Sequence, residues 1–184
     1  MPEVGGALRR LREGRRLSLE KLARASGVSR AMLGQIELRQ STPTIKTLWK
    51  IARALDVPFS ALIGGSAASG TTVLPESTTQ RLTNRDGTFV SRALFPFGGP
   101  RRVEFYELRL AAGCVENAVP HPPGTPENLV VHHGRVEIEV GGERHALGPG
   151  DAIVFAADTP HVYRNTARQD ALVYLVMTYA DSIL

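Results

Sequence analysis

The chain has 184 residues, 42% of them hydrophobic and 22% charged, which is ordinary for a soluble globular protein and leaves room for two small domains or one medium one. Its net charge of +4 is unevenly spread: residues 1–65 hold 12 Lys/Arg against 5 Asp/Glu, and residues 66–184 hold 10 against 13. One cysteine, Cys114, excludes an internal disulfide, and no apolar run approaches the roughly 20 residues of a membrane span, so a cytoplasmic protein with no membrane partner is expected.

From the N-terminus, Leu8 and Leu11 mark the buried stripe of a first helix ending near Gly14, with Arg9, Arg10, Arg12, Arg15 and Arg16 around it. Ser18 is placed to cap a second helix. Between Leu19 and Leu38 the spacing predicts two short helices joined by a tight turn, with Leu22 and Ala23 facing Leu33 and Ile36. Gly27 occupies the turn, Val28 closes it, and Ser29 caps the helix that Arg30 opens. Such a pair is a helix-turn-helix, whose second helix offers its N-terminal residues to the DNA major groove. An αα-hairpin without a DNA role is the alternative. Ser41-Thr42-Pro43-Thr44 reads as a loop and helix start. Leu48, Ile51, Ala52 and Leu55 follow at helical spacing, and Pro58 fits the first turn of a last short helix with Leu62 and Ile63 inward.

The run of motifs over residues 5–64, including S-G-V-S at Ser26–Ser29 and L-x-x-I-E at Leu33–Glu37, closely resembles the Xre-type, lambda-repressor-like DNA-binding domain. The resemblance implies five helices and places Arg30, Ala31 and Gln35 toward base edges, Arg being suited to guanine and Gln to adenine. Met32 either touches a thymine methyl or packs locally. The starts of the second and fourth helices, around Leu19 and Thr44–Lys46, would hold phosphate. Arg12 and Glu37 match a pair that ties the first and third helices of the family. Leu19 stands where the family often has Gln. Arg39 stands where it usually has Gly; a left-handed backbone there would cost about 1 kcal/mol, part of which phosphate binding could offset.

Residues 65–75 are small and polar and read as a flexible linker between a helical domain at 1–64 and a second domain at 76–184. Beyond it the apolar period changes from 3.6 to 2. Phe95–Pro100 marks a turn, and Glu104–Leu110 alternates like a strand. Val136, Ile138 and Val140 alternate with charges before a Gly141-Gly142 hairpin turn. Gly148–Asp151 is another turn, Ala152–Phe155 an apolar strand, and Leu172, Tyr174 and Val176 a last strand. Many short strands between Gly/Pro turns predict a barrel or jelly roll.

Over residues 90–180 the chain resembles a cupin, on Gly113, His121, Pro123, Glu127 and Gly134 for one motif and Gly150, His161 and Asn165 for the other. The resemblance implies a C-terminal cupin β-barrel whose metal would be held by His121, Glu127 and His161. Pro123 stands in the fourth ligand's place and cannot bind metal. Two His and one carboxylate can still hold Fe or Zn with open positions. The same residues, with Tyr163, could instead form a polar pocket for a small molecule; Tyr106, Arg109 and Tyr174 are further candidates. His132, His133 and His145 offer no replacement ligand.

Together these features resemble the two-domain Xre–cupin transcriptional regulators. The expectation is a homodimer on a palindromic double-stranded DNA operator, with a cupin domain that senses a small-molecule effector and carries no catalytic residues. Two alternatives stay open: a cupin metalloenzyme of the oxygenase or epoxidase type with an N-terminal helix-turn-helix, and a small-molecule-binding protein whose first domain only oligomerises.

Overall fold

The structure, a computed structural model, describes residues 4–63, 71, 73–79, 81–95 and 103–179. These fall into two compact units, one of five helices and one of ten strands. Most of the expected linker, and the turn beyond Phe95, lie outside the described residues.

The helical unit runs α1 (Val4–Gly14), α2 (Leu19–Ser26), α3 (Arg30–Glu37), α4 (Ile45–Leu55) and α5 (Ser60–Ile63). Local chemistry sets the starts of three of them. Ser18, Ser29 and Thr44 each accept a backbone N–H of the first turn, from Lys21, Met32 and Thr47 at 3.1–3.2 Å. Gly27 ends α2 with φ +66, and its N–H reaches the Ala23 carbonyl. A Cβ there would meet open space, so the left-handed backbone alone calls for glycine. Leu8, Leu22, Leu33, Leu48, Ile51 and Leu55 close the core. The buried stripe of α1 is Val4, Ala7 and Leu8, with the expected Leu11 only half-buried. Leu62 is buried and Ile63 half-buried, and α5 begins two residues after Pro58. Arg12 donates two hydrogen bonds to Glu37, at 2.6 and 2.9 Å, and a third to the Leu17 carbonyl. This joins α1 to α3 as expected, and Glu37 holds the Arg12 guanidinium above its ordinary pKa, against the opposing effect of burial.

The strands are β1 (Arg81–Thr83), β2 (Phe89–Ala93), β3 (Val103–Leu110), β4 (Val115–Ala118), β5 (Pro126–His133), β6 (Val136–Val140), β7 (Glu143–Leu147), β8 (Ala152–Ala156), β9 (His161–Arg164) and β10 (Ala171–Thr178). They form two antiparallel sheets, β1-β2-β3-β10-β5-β8 and β4-β9-β6-β7, a jelly roll with its core between the sheets. Gly141 and Gly142 both have positive φ in the two-residue β6–β7 turn, as a primed hairpin requires. Gly134 is needed twice over: its φ is +79, and a Cβ would lie 2.7 Å from the Asp170 carbonyl oxygen. Asn165 is buried and donates to the Leu110 and Gln169 carbonyls, tying the β9–β10 connection to β3. The expected last strand is β10, whose core face is Ala171, Val173, Leu175 and Met177, with Leu172, Tyr174 and Val176 on the opposite, half-buried face.

Candidate functional site

Two surfaces carry chemistry. On the helical unit, the capped start of α3 leaves Arg30, Ala31 and Gln35 exposed, while Leu33 and Ile36 on the other side of the same helix are buried. The turn therefore anchors α3 by its apolar side and presents the polar one. Met32 is exposed beside Arg30, Ala31 and Gln35, and its sulfur accepts from the Ser41 hydroxyl at 3.5 Å. Lys46 is exposed in the first turn of α4, two residues after the Thr44 cap. Leu19 is half-buried beside Gly34. Arg39 does adopt a left-handed backbone, φ +61, and is exposed.

The second site is inside the barrel. Cross-strand register aligns Glu104, Met177, Glu127 and Phe155 in one row over four strands of the larger sheet. Opposite them, β9 brings in His161 and Tyr163. His121 arrives from the loop after β4, and that loop is clipped to the β8–β9 turn. The His121 N–H donates to the Ala157 carbonyl, the Ala157 N–H to the Thr125 carbonyl, and the Gly124 N–H to the Asp158 carboxylate. The two loops that place the histidines thus hold each other.

His121 Nε2 lies 2.6 Å from Glu127 Oε1. The Tyr163 hydroxyl donates to Glu127 Oε2. His161 Nδ1 donates to the Thr159 carbonyl at 2.8 Å, which leaves Nε2 as a lone pair facing inward. That Nε2 is buried, has no hydrogen-bond partner, and sits 3.8 Å from Glu127 Oε1. Burial alone would raise the Glu127 carboxyl, but hydrogen bonding and charge from His121, helped by His161 and Tyr163, hold it below the usual carboxylate range. Burial lowers the His161 imidazole, favouring its neutral form, and raises the Tyr163 phenol well above its ordinary value.

Four sequence candidates, His121, Glu127, His161 and Tyr163, therefore meet. Pro123 is exposed on the loop, outside the cluster. His132, His133 and His145 are exposed. Arg109 is exposed too, and Tyr174 lies on the outer face of the sheet. Tyr106 is buried, but it donates to Glu104 at 2.7 Å, an oxygen it shares with Tyr179. Sequence reading missed Glu104, Tyr179 and the Thr159 carbonyl. The alternation of residues 104–110 placed Glu104 on the face of Tyr106, which was the one available signal.

His121 Nε2, Glu127 Oε1 and His161 Nε2 fit a divalent metal: the donor atoms of these buried residues lie within 4.8 Å of one another, and the Nδ1 hydrogen bond of His161 aims its lone pair at the other two. No other group of three such donors occurs among the described residues.

Residues 8–62 match the family described as Helix-turn-helix, and residues 106–178 the family described as Cupin domain. The chain is similar to the HTH-type transcriptional regulator SutR of Escherichia coli (strain K12), 38% identical over 176 residues, which is 95% of this chain and 94% of that one. It is similar in structure to a helix-turn-helix family transcriptional regulator from Vibrio cholerae, with a TM-score of 0.79, 33% identity, and coverage of 97% and 96% of the two chains. A hydroxypropylphosphonic acid epoxidase from S. wedmorenis shares the fold alone, at a TM-score of 0.51 and 16% identity over 97% of each chain.

Proposed function

The chain belongs to the HTH-type transcriptional regulators that join an Xre-type helix-turn-helix to a cupin domain, and from that premise we propose that it binds a palindromic operator as a homodimer whose barrel takes a small-molecule effector. Binding DNA is the work of the helix-turn-helix. The residues assigned to it here are Arg30, Ala31 and Gln35 for base edges, and Leu19, Arg39 and Lys46 for phosphate, Leu19 through its backbone N–H. The exposed start of α3, set over its buried Leu33 and Ile36, supports this assignment. Two copies would place two such helices in successive major grooves about one helical turn apart.

For the effector, one observation carries the reading: His161 Nε2 is a buried acceptor with no donor. An unmet buried acceptor is costly, and a ligand N–H or O–H, or a metal, would satisfy it. His121, Glu127 and Tyr163 surround it and would complete the binding site. An Fe or Zn ion held by His121, Glu127 and His161 would supply a Lewis-acid point for anchoring an oxygen of the effector. Effector binding would then favour one spacing of the two DNA-binding domains over another, which changes operator affinity.

The test begins with operator fragments selected from a random DNA library by the full-length protein. Arg30→Ala should lower specific affinity by about 1–3 kcal/mol and relax base preference at one position. Loss of equal size on all sequences would instead place Arg30 on phosphate. Metal content is measured beside that of His161→Ala, and small molecules are screened by thermal shift. If every compound that stabilises the wild type leaves operator affinity unchanged, the effector step fails.

A further inference from the structure

We propose that Met32 is a modification site on the DNA-reading face of α3, which rests on the assignment of α3 to base edges above and adds a residue to it. The reduced thioether reads the methyl group of a thymine in the operator. Oxidation of its sulfur by a peroxide abolishes that reading.

The core makes no use of Met32. Leu33 and Ile36 fill it at 0% and 1% exposure, whereas Met32 is 36% exposed. Met32 directly follows Ala31 and lies three residues before Gln35, so it shares a strip of the helix surface with a residue assigned to bases. Its backbone N–H is held by the Ser29 cap at 3.2 Å, which fixes where the side chain leaves the helix. From the loop after α3, the Ser41 hydroxyl donates to its sulfur at 3.5 Å. A thioether is a weak acceptor, but this bond steadies a flexible side chain at the surface. In the major groove, an apolar side chain is matched by one group, the C5 methyl of thymine. Arg30 and Gln35 offer hydrogen bonds to guanine and adenine, so Met32, with Ala31 beside it, supplies the apolar contact that the polar pair cannot.

The same position opens the sulfur to oxidants. The chain has three Met and one Cys. Met177 and Cys114 are each 1% exposed, and Met1 lies outside the described residues. Met32 is thus the one exposed sulfur-bearing residue among the described ones. Its sulfur lone pair attacks one oxygen of a peroxide, and the S–O bond forms as the O–O bond breaks. With hydrogen peroxide, the leaving hydroxide takes the proton of the transferred oxygen and becomes water. Sulfur loses two electrons and the peroxide gains them. The sulfoxide so formed is polar and chiral. Its oxygen is a strong acceptor, and seating it against a thymine methyl would leave it unpaired, at a cost. The core contacts of Leu33 and Ile36 are untouched, so the fold survives while the reading changes.

The full-length protein is assayed on the operator it selects, with uracil replacing each thymine in turn. At one position in a half-site, uracil should cost the wild type roughly fourfold in affinity, the worth of one buried methyl. Met32→Ala should bind thymine and uracil alike there. Met32→Leu, apolar but without sulfur, should keep the discrimination. Where Met32→Ala does not fold by thermal unfolding, Met32→Gln takes its place. After hydrogen peroxide, peptide mass mapping should find the added oxygen at Met32 and not at Met177. The oxidised wild type should lose the discrimination, treated Met32→Leu should keep it, and methionine sulfoxide reductase should restore the wild type. Uracil discrimination that persists in folded Met32→Ala overturns the proposal. So does a folded Met32→Leu as sensitive to peroxide as the wild type. Arg30→Ala separates this from the DNA reading: if it leaves operator preference intact, α3 does not read bases at all, whereas preference lost there and unchanged in Met32→Ala sinks the role of Met32 alone.

Discussion

Glu127 shows how one residue can hold a site together. It is buried, with His121 on one oxygen and the Tyr163 hydroxyl on the other. Tyr163→Phe keeps the ring and its packing against Phe89 and removes one donor from a buried carboxylate. Loss of a hydrogen bond to a charged group costs about 1–3 kcal/mol, so chemical denaturation should show a loss of that size. An unchanged midpoint would mean that the phenol does not support Glu127. Arg12 makes the same kind of case on the helical unit. Its two bonds to Glu37 and one to the Leu17 carbonyl all vanish in Arg12→Met, which should loosen α1 from α3. What the sequence revealed at this scale depended on range. Caps such as Ser18, Ser29 and Thr44 act within three residues and were readable. The meeting of His121, Glu127 and His161 was visible only through the cupin motif, because no periodicity links positions 121 and 161. The Thr159 carbonyl that sets the His161 tautomer carries no side-chain signal, and Tyr179 lies in no motif.

At the scale of elements, two adjacent glycines in α1 should respond in opposite directions. Alanine is favoured over glycine inside a helix by about 0.5–1 kcal/mol. A Cβ on Gly6 would meet nothing closer than the tip of Arg10 at 4.0 Å, so Gly6→Ala should stabilise by about that amount. A Cβ on Gly5 would lie 2.4 Å from the Ile36 carbonyl oxygen and 3.0 Å from that of Glu37. Both are backbone atoms, and overpacking of this kind costs about 1–3 kcal/mol, which exceeds the helix gain. Gly5→Ala should therefore lower the melting temperature while Gly6→Ala raises it. The sequence could not tell these glycines apart, because the close approach of α1 to α3 is tertiary. The facing of the last strand stayed open for a similar reason. Residues 171–178 are apolar on both faces, so alternation could not show that Ala171 and Val173 point inward while Tyr174 and Val176 build an outer patch.

The pair between β2 and β3 gives a prediction in pH. Two hydrogen bonds from Arg92 hold the Glu107 carboxyl below the ordinary value of about 4.3, against the opposing effect of burial. A carboxyl whose folded-state pKa is depressed contributes stability that is complete above its unfolded pKa. It loses that stability as pH falls through the lower, folded value. Arg92→Met removes the depression, so its acid-unfolding midpoint, followed by circular dichroism, should move to higher pH. A midpoint that stays put or moves lower would show that the pair does not couple to folding.

For the whole molecule, the uneven charge is the feature that reaches function. The basic excess lies in residues 1–65 and the acidic excess beyond them, so one end of the chain is drawn to phosphate and the other is not. Operator affinity should then fall linearly with the logarithm of salt concentration, with a slope of about −0.9 for each phosphate neutralised. Lys46 and Arg39 are both exposed, at the start of α4 and just beyond α3. Each is assigned here to phosphate, and on a palindrome each is present twice. Lys46→Ala or Arg39→Ala should thus reduce the slope by about 2 on the full operator and by about 1 on a half-site, with base preference retained. Arg30→Ala should do the reverse, flattening preference at one base pair while leaving the slope nearly unchanged. The ratio of the two slope changes counts the chains on the operator without reference to any mass measurement. Equal changes on the full site and the half-site would mean that one copy binds, and the pairing of two copies would then lie outside the DNA-bound state.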